Sequence, residues 1–266
     1  MIDYQIEERF RRTVGYASLG MTNKYYKDGF WYKQNDKGYE GKSEYIATIL
    51  LKHSNVKDYV QYEECMINGV PGCRSRNMLQ AENQNLVTFS RMYNLMYGGD
   101  LKFKINTYAR LDDRINYVLD FMYEATHLDL REYLGKVLKF DAVTFDVDRH
   151  FNNLAVIETS EGFREAPLFD FGGSFFSMQH VFTPEMSLQD KINKMTPQPF
   201  SASFEEQASF FQNVELCLDI REIQKEIKSQ PQELQEIILC GLTKNRHLYK
   251  DERLKVKKKK SVQKSR

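Results

Sequence analysis

The chain has 266 residues, 41% of them hydrophobic and 13% aromatic, enough to build one large domain or two intimate lobes without disulfide staples. No apolar run approaches the roughly 18 residues of a membrane span, and the charged stretch from Asp3 to Arg12 leaves no room for a secretory leader, so a soluble cytosolic protein is expected. The net charge of +1 conceals an asymmetry: the segment from Arg253 onward carries eight Lys/Arg and no acid, leaving 30 basic against 37 acidic residues in the body.

Hairpin chemistry opens the chain. In Tyr25-Tyr26-Lys27-Asp28-Gly29-Phe30-Trp31-Tyr32-Lys33, aromatic stretches flank Asp28-Gly29, a two-residue turn signal, so strand, turn and strand are expected. Ser43 then reads as the N-cap of a short amphipathic helix carrying Tyr45, Ile46, Ile49 and Leu50 and ending before Asn55, with Glu44 in its first turn. A strand from Glu63 to Asn68 and a turn at Gly69 to Gly72 follow, which puts the passage out of this β-rich unit near Cys73 to Asn77.

From about Asn77 the pattern becomes helical, with Leu111, Ile115, Val118, Leu119 and Met122 at helix spacing and Asp129 placed to cap a helix through Leu138. A β interlude interrupts it, where Leu154 to Glu158 and Arg164 to Asp170 flank the turn Thr159-Ser160-Glu161-Gly162. Met178 to Ser203, with Pro184, Pro197 and Pro199, reads as a long surface segment holding at most a short helix. Helices are expected again from Phe204 to Ile220 and from Ser229-Gln230-Pro231 to a stop at Gly241.

Cys65, Cys73, Cys217 and Cys240 have neither Cys-x-x-Cys nor Cys/His ligand spacing, so buried thiols are expected. The tail from Leu254 to Arg266 is too poor in apolar residues to order itself alone. Its lysine run suits an acidic partner, nucleic acid or anionic lipid, against the plainer reading of a solvated terminus.

The densest cluster of reactive residue types is Asp146-Val147-Asp148-Arg149-His150-Phe151-Asn152-Asn153, followed by Phe169-Asp170-Phe171-Gly172-Gly173. Phosphoryl transfer needs oxygen ligands for Mg²⁺ and a carboxylate to orient the attacking hydroxyl. Asn153 and Asp170 can supply the first and Asp148 the second. Asp146 suits either a supporting carboxylate or a structural cap, and Arg149 and His150 suit bracing of the loop.

These residues, with Ala166-Pro167-Leu168-Phe169-Asp170, resemble the HipA-like bacterial Ser/Thr kinases, including the CtkA-like branch, most securely over residues 140 to 175. The resemblance implies an α+β, bilobal protein-kinase-like fold: a small β-rich N-lobe (1–76), a larger mainly helical C-lobe (77–252) and the basic tail (253–266). It also implies ATP and Mg²⁺ as cofactors and a protein Ser/Thr hydroxyl as acceptor. Asp148, Asn153 and Asp170 are then the catalytic set, with Asn153 and Asp170 on the metal.

By the same resemblance Ser18-Leu19-Gly20-Met21-Thr22-Asn23-Lys24 is the phosphate loop, with Ser18, Gly20, Asn23 and Lys24 at the nucleotide and Ser18 open to autophosphorylation. Lys33 is the strand lysine that contacts phosphates, and Glu44 the helix carboxylate that holds it. The run Asp-Arg-His-x-x-Asn followed by Asp-Phe-Gly is also similar to phosphatidylinositol kinases, so a lipid kinase stays open beside a catalytically weak scaffold.

Overall fold

The computed structural model describes residues 1–12, 23–36 and 38–253, so the tail from residue 254 lies outside the described residues. The N-terminal sheet forms from β1 (Asp3–Tyr4), β2 (Lys24–Lys27), β3 (Phe30–Gln34), β4 (Tyr62–Ile67) and β5 (Val70–Arg76) in the order β1-β4-β5-β3-β2. Strand β1 runs parallel to β4, and the other neighbours are antiparallel.

Two-residue turns set the sheet's register. Asp28 and Gly29 both take positive φ (51° and 79°), as the twist-matched hairpin turn requires, and align Lys24 with Lys33 across β2 and β3. Asn68 and Gly69 repeat the device (50° and 76°) and fold β5 back along β4. The turn thus comes one residue earlier than the expected Gly69 to Gly72, and Cys73 to Arg76, read as the passage between lobes, is strand. The crossing runs through residues 77–84 instead.

Helix α1 (Glu40–Lys52) lies between β3 and β4 in the chain and buries Ile46, Ala47, Leu50 and Leu51. It starts ahead of Ser43, which is an interior residue and not the cap. Asn35 Oδ1 accepts the Gly41 N–H at 2.7 Å at the helix start, leaving the buried Ser43 hydroxyl to point outward from the helix.

The second half begins with β6 (Asn85–Thr88), absent from the sequence reading, and continues with α2 (Phe89–Tyr97), α3 (Leu101–Ile105), α4 (Leu111–Thr126) and α5 (Arg131–Thr144). Asp129 Oδ1 accepts the Arg131 N–H at 3.0 Å, and α5 outruns the expected stop at Leu138 to end on Phe145 in the left-handed region. Strands β7 (Ala155–Thr159) and β8 (Gly162–Glu165) pair antiparallel and β6 completes a sheet of order β6-β7-β8.

Helix α6 (Leu188–Lys194) occupies the segment read as surface, but Phe182 and Phe200 on either side of it are buried. Beyond it lie α7 (Phe204–Ser209), β9 (Cys217–Leu218), α8 (Ile220–Ile227), α9 (Gln232–Lys244) and β10 (Lys250–Asp251). The expected helix from Phe204 to Ile220 therefore ends at Ser209, and a turn and the short strand β9 take up the rest. Gly241 does not stop α9; a Cβ there would fall 2.1 Å from the Val143 carbonyl, so glycine lets α9 close on α5. The cysteines are free, with Cys65, Cys73 and Cys217 buried and Cys240 half-buried, and no described helix is long and apolar enough to cross a membrane.

Candidate active site

A cleft of about 700 Å³ opens between the N-terminal sheet and the β6-β7-β8 sheet. Lys24, Lys33 and Asp170 line one end; Met78, Leu79, Leu86 and Phe169 give the other an apolar lining. Residues 77–82 and Gln84, on the chain that crosses between the two sheets, also line the cleft.

Lys33 is the centre of the polar end. Its Nζ donates to Asp170 Oδ1 at 2.7 Å and to Glu44 Oε1 at 3.1 Å, joining β3, α1 and the loop after β8. Burial opposes the Lys33 charge, but the carboxylates of Asp170 and Glu44 prevail and hold the ammonium well above its ordinary pKa. Burial also works against ionised Asp170, yet Lys33 and Lys24 keep its carboxyl below the usual range. Glu44, fully buried, is pushed up to about 7 by desolvation despite Lys33.

The backbone around Asp170 is fixed from three directions. Glu44 Oε2 accepts the Phe171 N–H at 2.8 Å, the Tyr62 hydroxyl accepts the Asp170 N–H at 3.3 Å, and Ser43 Oγ donates to the Phe171 and Ser174 carbonyls at 2.7 and 3.0 Å. Asp170 itself has φ 59°, and Phe175 and Phe176 follow at 54° and 59°. Left-handed backbone at such residues is strained, so packing must hold it, and both phenylalanines are buried, with Phe176 stacked on Phe145 at 5.3 Å.

Asp148 and Asn153 sit on the loop between α5 and β7. Asp146 Oδ1 accepts the Asp148 N–H at 2.9 Å, and Asn153 Nδ2 donates to the Asp148 carbonyl at 3.2 Å, so the amide oxygen of Asn153 faces away from the loop backbone. That Oδ1 is buried and accepts no hydrogen bond. Burial raises the Asp148 pKa, with His150 opposing. Gly173 brings the two loops together: a Cβ there would lie 2.6 Å from Asp148 Cβ and 2.8 Å from Asp146 Oδ1.

Arg149 is the brace, and it is 1% exposed. Its Nε and Nη2 donate to Asp141 at 3.0 Å each, Nη2 also to Asp146 Oδ2 at 3.1 Å, and Nη1 to the carbonyls of Asn153 and Phe169 at 3.1 and 2.8 Å. One guanidinium thereby locks helix α5, the Asp148 loop and the segment after β8 that leads to Asp170. Asp141 and Tyr62 escaped the sequence reading. An acid inside the apolar run Phe140-Asp141-Ala142-Val143 was the available signal, because a buried carboxylate needs a cationic partner.

The structure thus gathers Lys33, Glu44 and Asp170, places Lys24 beside Lys33, and sets Asp148 and Asn153 on the adjoining loop. Asn23 is engaged elsewhere, its amide donating to Gln34 Oε1 at 2.9 Å and accepting from Arg11 at 2.6 Å. Ser18 and Gly20 lie outside the described residues.

No protein-family model matches the chain, and no curated protein does. Among solved structures it is similar to the crystal structure of a Helicobacter pylori proinflammatory kinase, CtkA, with a TM-score of 0.63 at 15% sequence identity over 92% of this chain and 94% of that one. At that identity the likeness establishes architecture: the chain has an α+β, bilobal kinase-like fold, with the cleft between a small β-rich lobe and a larger helical one.

Proposed function

We propose that the chain is an ATP- and Mg²⁺-dependent, HipA/CtkA-like kinase that transfers the γ-phosphate to a Ser/Thr hydroxyl of a protein. The observation that carries this reading is the Lys33 ammonium held between Glu44 and Asp170 at the polar end of a cleft whose other end is apolar. A nucleotide matches both ends, with its base against Phe169 and Leu86 and its phosphates at Lys33 and Lys24.

The donor set fits Mg²⁺. Asn153 Oδ1 is a buried oxygen with no hydrogen bond to accept, and Asp170 is kept ionised by its lysine neighbours, so both offer the hard oxygens this ion prefers. When bound, the ion supplies charge neutralisation on the phosphate oxygens. Lys33 fixes the phosphate end, while Glu44 keeps Lys33 from swinging away. Asp148 accepts the hydrogen bond of the acceptor hydroxyl and orients it, and Arg149 and Gly173 hold Asp148 at a set spacing from Asp170.

The test is transfer of radiolabel from γ-labelled ATP with Mg²⁺ to casein or to phosphoinositide vesicles, with Asp148→Ala as control. Label on casein serine or threonine that disappears in the variant supports the proposal. Label on lipid replaces it with a lipid kinase, and no label on either leaves a scaffold.

A further inference from the structure

The helical lobe holds a second hollow, of about 470 Å³, between α3, α4 and the segment joining α6 to α7. Two half-buried cations stand in it. Lys102 Nζ donates to the Pro199 carbonyl at 2.8 Å; Arg114 donates from Nη1 to the Phe200 carbonyl at 3.0 Å and from Nε to the Tyr108 carbonyl at 2.9 Å. An ammonium has three N–H donors and a guanidinium five, so both keep donors to spare.

Neither cation is ion-paired with a carboxylate among the described residues, whereas Lys33, Arg149 and Lys191 are; only Lys139, which donates to the Val214 carbonyl, is similarly placed among the buried lysines and arginines described. The nearby acids are otherwise engaged: Asp100 Oδ1 accepts the Phe103 N–H at 3.1 Å, and Glu206 is bonded by the Ser201 hydroxyl. Burial lowers the Lys102 pKa and the neighbouring Arg114 adds to it, with Asp100 opposing. The wall is firm. Buried Gln207 accepts the Phe200 N–H at 3.3 Å and donates to the Gln198 carbonyl at 3.0 Å. The Phe200 ring packs edge-on against Phe151 at 5.5 Å, and Phe151 belongs to the loop that carries Asp148 and Asn153.

We propose that this hollow is an anion subsite that receives an acidic or phosphorylated side chain of the polypeptide acceptor and so selects which hydroxyl-bearing segments are presented to Asp148. The assignment of the acceptor rests on the kinase reading. The site itself rests on two cations that lack a carboxylate partner, in a preformed hollow one side chain away from the catalytic loop. Charge-assisted bonds to a carboxylate or phosphate use the spare donors without disturbing the carbonyl clamps.

Two measurements test it on the full chain. Inorganic phosphate titrated into ¹⁵N-labelled protein should give saturable shifts at the amides of Gln198, Phe200 and Ser201, and Asn106→Asp should abolish them. Asn106 is an exposed residue of the hollow outside the carbonyl clamps, so this variant leaves the wall standing. In the kinase assay, Asn106→Asp should raise KM about tenfold for serine peptides flanked by glutamate or phosphoserine and leave kcat unchanged. It should not affect the same peptides with glutamine.

Absence of saturable shifts in the wild type overturns the subsite. Equal KM changes on acidic and glutamine peptides overturn its role in selection. The titration requires no turnover, so failure of the kinase reading and failure of the subsite are separately visible.

Discussion

An ammonium wedged between two carboxylates loses much of its hydration, and the attraction must replace it; Lys33 does this because Asp170 and Glu44 approach from different elements. Replacing it, in Lys33→Met, should lower kcat/KM at least about hundredfold while circular dichroism shows the fold retained. Glu44 gives the site a pH signature. It is protonated below about 7 and ionised above, and only the ionised form offers Lys33 a charge. We therefore expect kcat/KM to fall as pH drops through about 7, and Glu44→Gln to remove that limb from a lower plateau. Gly173→Ala should cost about hundredfold in kcat, because the new methyl must push Asp148 away from Asp170; a crystal structure of the variant showing Asp148 unmoved would contradict this.

At the scale of elements, the β2-β3 hairpin was legible because Asp28-Gly29 between aromatic runs has one good physical solution. Ser43 and Gly241 were not, because a serine or glycine that serves a helix end looks the same in sequence as one that serves a tertiary contact. Ser43 bonds carbonyls of the Asp170 loop, and Gly241 admits the backbone of α5. Strand β6 was missed because its four residues form a strand by pairing with β7, a long-range contact that leaves no local pattern. The candidate site's membership was easier to read, since Asp148, Asn153 and Asp170 fall on one loop-hairpin-loop stretch. What joins them was harder: Arg149 could be placed near the loop, but its partner Asp141 belongs to a helix and shows only as an acid in an apolar run. Arg149→Leu should therefore destabilise the protein by about 3–5 kcal/mol in urea denaturation, because two buried carboxylates lose their counter-charge. Arg149→Lys should recover only part, since one ammonium cannot reach Asp141, Asp146 and both carbonyls.

On the scale of the whole molecule, the cleft joins two sheets that share no strand, so a ligand that touches both lobes reports on their assembly. Mg-ATP at a hundredfold excess over Kd should stabilise the chain by about 2.7 kcal/mol in a thermal shift experiment. Asn153→Ala should lose the part that depends on Mg²⁺ and keep the part given by ATP with a chelator.

Helix α1 is fastened at both ends to the helical lobe. Near its start, Tyr39 donates its hydroxyl to the Phe175 carbonyl at 2.6 Å, and Ser43 and Glu44 hold the Asp170 loop. Past its end, the Asp219 N–H reaches the His53 carbonyl at 2.8 Å, Asn55 exchanges bonds with Cys217, and Glu226 pairs with Lys52 at 2.5 Å. At about 1 kcal/mol for each bond, swinging the helix outward forfeits several kcal/mol. An allosteric effector typically commands about 1–3 kcal/mol of coupling. A switch that works by rotating this helix is therefore beyond the reach of an ordinary effector, which leaves access to the cleft and the supply of its ligands as the places where control would act.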